Sequence, residues 1–204
     1  MFSDLIFGLS LSISAVTLIG SQVFTVPNIV NRIIAFVFNF VVLIMIWLRY
    51  TGTMAILPIE TGQVIFLNLF LLLLVGLEPF LLILIQDTLF IPGMVTSDSD
   101  SIARFAASLY ALDLAGLVAI QGFFTHILSI EERGIVPSHL IHSYRVARNA
   151  QFMLSMVFVV SVLPQLWSVQ FLGLPLPIQL WWIPLFGSVV LMVGKYGFGA
   201  PTKG

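Results

Sequence analysis

The sequence predicts an all-α integral membrane protein, a single domain over residues 1–204 with six spanning helices. Three observations predict it. The chain is 59% hydrophobic and 8% charged, against about 25% charged in a soluble domain. A larger core cannot absorb that deficit, because a soluble domain of this size still needs a polar surface. The apolar residues fall in runs of membrane length, about 20 residues each. Between them stand proline, glycine and short polar clusters, which punctuate helices.

The spans are placed at about 5–26, 30–50, 62–86, 103–126, 149–168 and 178–197. Pro27-Asn28 is expected to end the first, and Gly52 and Pro58 mark the second break. Pro92-Gly93 and the run from Thr96 to Ser101 are read as a polar, acidic loop. The charged stretch from Glu131 to Arg148 is expected to be partly helical, and Gly173, Pro175 and Pro177 divide the last two spans. Met1 is followed closely by Asp4, with no basic segment or small-residue cleavage site, so no cleavable signal is expected.

Basic residues set the expected orientation. With the N-terminus in the cytoplasm, Arg49, Arg133, Arg145, Arg148, Lys195 and Lys203 lie inside, and Arg32 and Arg104 outside. The excess favours two cytoplasmic termini. Trp47, Trp167, Trp181 and Trp182 are expected at the membrane boundaries.

Function classes narrow by elimination. A net charge of −1 implies no bulk attraction to nucleic acid. The absence of cysteine excludes disulfides and thiolate metal sites. His139 and His142 are three apart and can share a helical face, but no third ligand stands beside them, so no metal is expected. No phosphate-binding glycine loop and no nucleophile–base pair appears, so the chain is not expected to be an enzyme. Gly194-Lys195-Tyr196-Gly197-Phe198-Gly199 superficially resembles a potassium-channel filter, but it lacks the preceding Thr-Val and is read as a helix stop. No cofactor is expected.

Polar residues inside the spans carry the remaining signal. Glu78 and Asp113 are ionisable groups in segments that should meet hydrocarbon, where such groups mark function or a polar contact. Their helices run in opposite directions, so the two are expected at similar depth. They could share a proton or be capped by an asparagine. Pro79 follows Glu78 and frees a carbonyl one turn back. Asn39 and Asn68 are read as interhelical hydrogen-bonding residues.

The first span differs in kind. Ser10, Ser14 and Thr17 share one helical face, and Leu9, Ile13 and Val16 share the adjacent one, with Ser12 beside them. Small residues on a helix permit close packing in lipid. Alternatively, several copies of this helix around an axis would supply a ring of hydroxyls and a ring of branched aliphatics. Aliphatic rings gate by dewetting, and hydroxyls replace part of an ion's hydration.

Phe2-Ser3-Asp4 resembles the FSD motif of the lysosomal potassium channel family, transmembrane protein 175 and its prokaryotic homologues. The helix that ends near Trp47, the polar joint, and Asn68-Leu69 opening a leucine-rich run to Pro79-Phe80 continue the likeness across residues 2–86. The second half is similar only in helix count. The resemblance implies a homotetramer of six-helix subunits in the bilayer, with the first helix of each lining a pore that has no carbonyl filter. It implies passive, potassium-preferring flux of monovalent cations, constricted at Leu9, Ile13 and Val16, with Ser12 at a selectivity position. Phe2, Ser3 and Asp4 would fix the cytoplasmic end of that helix.

Three departures stand out. The family arginine four residues before the motif has no counterpart in this sequence, so the polar network that the resemblance implies around Asp4 is expected to differ. The family histidine three after the tryptophan is Tyr50, and Leu9 replaces the commoner isoleucine. One repeat rather than two, without long tails, makes a prokaryotic cytoplasmic membrane the expected location. Two readings compete with the channel: a proton-coupled transporter or proton pathway through Asp113 and Glu78, and a non-conducting membrane scaffold.

Overall fold

The computed structural model describes residues 2–17, 26–57, 61–86, 97–131, 134–171, 174–187 and 190. It is helical throughout apart from one minimal hairpin: α1 (Phe2–Thr17), α2 (Val26–Met54), α3 (Gly62–Gln86), α4 (Ser97–Leu128), α5 (Ser138–Ser161) and α6 (Leu176–Leu180). Among the described residues three segments are long and apolar enough to cross a membrane, Arg32–Met54, Gly62–Ile85 and Arg104–Leu128, and the shorter α1 is also apolar. The remaining expected spans have no described helix of that length and hydropathy. Positions 18–25 and 191–197, parts of the first and last expected spans, lie outside the described residues, as does the Gly194–Gly199 stretch.

Several boundaries differ from expectation. Pro27-Asn28 opens α2 instead of closing the first span. A proline in the first helical turn sacrifices an N–H that has no intrahelical acceptor anyway. The acidic run at 97–101 belongs to α4 rather than to a loop. α5 starts at Ser138, inside the expected charged loop, and ends at Ser161, short of the expected 168. Its C-terminal limit is Pro164, which begins a separate 3₁₀ turn, Pro164–Ser168. A two-residue hairpin follows, β1 (Gln170–Phe171) against β2 (Leu174–Pro175), with Gln170 opposite Pro175. The expected sixth span is interrupted: α6 stops at a turn on Trp181, and helix resumes at 182–187.

α4 sits centrally, packed by α3 on one side and α5 on another, while α1 lies on α3 and α2. Leu43, Leu71, Val75, Leu82, Tyr110, Leu114 and Leu117 form its buried centre. Two close approaches set the spacing. A Cβ on Gly116 would stand 2.9 Å from Leu74 Cδ1, and one on Gly122 would stand 3.0 Å from the Phe152 ring. Serine adds a tie, Ser155 Oγ donating to the Ala115 carbonyl at 2.8 Å.

Trp181 is a correction at residue level. It is not a boundary marker but a core residue, buried against Tyr110 with ring centroids 5.4 Å apart. Its indole N–H donates to Ser161 Oγ at 2.9 Å, which pins α6 to the end of α5. Phe38 and Trp182 extend the cluster edge-to-face at 5.2 Å. Such pairs add to area burial.

Candidate functional site: the first helix and its anchors

α1 has two unlike faces. Phe7, Ser10 and Ser14 are buried, whereas Phe2, Leu5, Leu9, Ser12, Ile13 and Val16 are exposed. Leu9, Ile13 and Val16 are 57%, 43% and 65% exposed and follow one another at helical spacing. The sequence-level ladder of hydroxyls therefore divides. Ser10 and Ser14 point into the bundle as packing and hydrogen-bonding residues. Ser12 lies among the exposed aliphatics, its hydroxyl donating to the Gly8 carbonyl at 2.8 Å.

The buried face is tied down by specific bonds. Ser10 Oγ donates to the Val75 carbonyl at 2.7 Å. Val75 lies four residues before Pro79, so its carbonyl is the one left without a helical N–H partner. A hydroxyl from α1 thus satisfies the acceptor that Pro79 strands in α3. One turn further along, the Asn39 amide donates to Ser14 Oγ at 3.3 Å. Tyr110 hydroxyl in turn donates to Asn39 Oδ1 at 3.2 Å. This polar seam runs from α1 through α2 to α4 inside the core.

The N-terminal end of α1 carries a second set. Trp47 Nε1 donates to Asp4 Oδ1 at 3.0 Å. That bond holds the exposed Asp4 carboxyl below the usual carboxylate range. Ser3 Oγ and Tyr50 hydroxyl are 2.7 Å apart, and Tyr50 donates to Asn68 Oδ1 at 2.7 Å. Tyr50 therefore bridges α1 to α3. Phe7 packs on the Tyr50 ring at 5.8 Å. Asn39 and Asn68 both make interhelical bonds, as their positions in apolar spans suggested.

The two ionisable residues of the expected spans come together in the core. Glu78 and Asp113 are 0% and 5% exposed, on antiparallel α3 and α4, with side chains in mutual contact. Among the described residues, none of their four oxygens receives a hydrogen bond. The Gly116–Leu74 approach lies one turn away and draws the two helices together at this depth.

His139 and His142 are exposed at the start of α5. Among the described residues no three His, Cys, Asp or Glu side chains gather as metal ligands. His126, unremarked in the sequence, lies 3.2 Å from the Arg148 guanidinium through Nδ1. Compared with models of known protein families, with characterised proteins and with solved structures, the chain matches none of them.

Proposed function

We propose that this chain is the subunit of a passive, potassium-preferring cation channel, a homotetramer whose pore is lined by α1. The observation that carries the reading is the division of α1. One face is fixed to the rest of the subunit by hydrogen bonds from both ends of the helix. The adjacent face presents Leu9, Ile13 and Val16 outward, exposed among the described residues. Four such faces around an axis would form a hydrophobic constriction that passes ions when hydrated and closes by dewetting. Ser12 sits between the aliphatic rings. With its proton committed to Gly8, its oxygen offers lone pairs to a cation. The proposed setting is a multi-pass protein of a prokaryotic cytoplasmic membrane with both termini cytoplasmic. The protein supplies no cofactor chemistry, and the potassium ion is the cargo.

Purified protein in liposomes tests this, with potassium, sodium and proton gradients imposed separately. The channel reading expects potassium flux above sodium flux, non-saturating, and raised by Ile13→Ala. The Glu78–Asp113 pair favours a second reading, proton-coupled transport. That reading expects saturable flux that needs a proton gradient and falls in Asp113→Asn. Folded, assembled protein that is silent in every gradient would leave a scaffold.

A further inference from the structure

We infer that the Glu78–Asp113 pair is a proton-binding site, in which two carboxyl groups buried between α3 and α4 hold one proton between them. The inference does not rest on the channel reading. It follows from where the donors of this region are spent. Tyr110 hydroxyl, one turn from Asp113, gives its proton to Asn39. The Asn39 amide donates to Ser14, and Ser10 donates to Val75. The Ser155 hydroxyl, from α5, donates to Ala115. Among the described residues, the four carboxyl oxygens are left without a donor.

Among the described residues no cation stands against the pair either. The charged neighbour of each carboxyl is the other carboxyl. The further titratable group facing them is Tyr110, from α4 itself. From the packed elements, α1 brings the uncharged Ser10 and Ser14, α2 brings Asn39, and the buried face of α5 brings Gln151, Ser155 and Phe158. Trp181 covers the Tyr110 ring. Two carboxylates in contact, with no cation and no donor, repel one another in a medium that screens weakly. One shared proton removes one charge and creates the missing donor, an O–H from one carboxyl to an oxygen of the other. Such a bond to an ionised acceptor is of the stronger kind. It would also cross-link α3 to α4 directly beneath the seam that seats α1.

Infrared spectroscopy of the reconstituted full chain tests this without reading flux. At neutral pH the wild type is expected to show a protonated-carboxyl C=O stretching band. The band should be lost or shifted in Glu78→Gln and in Asp113→Asn. Should either variant fail to fold, wild-type protein labelled with ¹³C-carboxyl glutamate or aspartate serves instead. The band must then move with at least one label. No band in folded wild type, or a band that both labels leave in place, overturns the proposal. A band absent in sodium or potassium buffer, and present only when a bulky organic cation replaces them, would assign the pair to an alkali cation and overturn it equally. A missing band beside intact potassium flux would sink the pair alone, and a band without any flux would sink the channel alone.

Discussion

Ser10 illustrates how much of this fold turns on single polar contacts. Its hydroxyl answers a carbonyl stranded by a proline 69 positions further along the chain, at 2.7 Å. Ser10→Ala should cost about 1 kcal/mol, the usual worth of one buried hydrogen bond. In a Pro79→Ala background residue 79 regains its N–H, Val75 recovers a helical partner, and the same Ser10→Ala change should cost almost nothing. Unfolding in denaturing detergent, taken round the double-mutant cycle, checks this; equal costs in both backgrounds would contradict it. Asp4 is the second case. Its carboxyl is held below the ordinary range by the Trp47 indole N–H. Because the folded-state value is the lower one, this contact is fully present above the unfolded value and is lost as pH falls through the folded one. Trp47→Phe should return the Asp4 titration towards that of a free aspartate, read by carboxyl NMR of labelled protein. A titration unmoved by the change would assign the shift elsewhere. Sequence pattern found both residues but neither partner. Spacing places Ser10 on a face, whereas the stranded carbonyl and Asn39 decide that this face turns inward.

At the scale of elements, legibility followed apolar contrast. α3 was read at its observed bounds because Gly62 and a leucine-rich run leave few alternatives. α5 was misread at its C-terminal end and in its continuity with the charged stretch before it. Its polar first half, Ser138 to Asn149, is helical as the charged stretch was expected to be in part, but it joins the apolar half in one helix, whose end is set by Pro164 well before the apolar residues run out. Trp181 was misplaced because a tryptophan serves a membrane boundary and a core equally well. Its partners Tyr110 and Ser161 are distant in sequence. α1 is the element that carries the proposed function, and its exposed face and that of α3 predict different responses. Leu9→Ala and Ile13→Ala widen the proposed constriction, so they should raise cation flux severalfold and narrow the preference for potassium. Phe80→Ala, on the exposed face of α3, should leave flux unchanged. Liposome flux assays on the three variants at matched protein density distinguish the faces. Equal effects at all three sites would remove α1 from the pathway.

The whole molecule exposes apolar surface on several sides. Ile33, Val37 and Phe40 on α2, and Phe66, Leu69, Leu73 and Phe80 on α3, lie outward with the α1 stripe. A soluble monomer seldom leaves so extended an apolar surface open, whereas lipid and neighbouring subunits cover such surface at no cost in lost hydration. The coarse class was thus legible from composition alone, while the relation between subunits is not written in any one subunit's contacts. The channel account predicts a native mass of four copies in mild detergent; a stable monomer that still conducts would contradict the shared pore. The most direct test exploits the absence of cysteine from the chain. Ile13→Cys protein in potassium-loaded liposomes should conduct, and a charged thiol reagent should abolish that flux while leaving cysteine-free protein untouched. Complete modification of Ile13→Cys with potassium flux undiminished would show that the exposed face of α1 does not line the path.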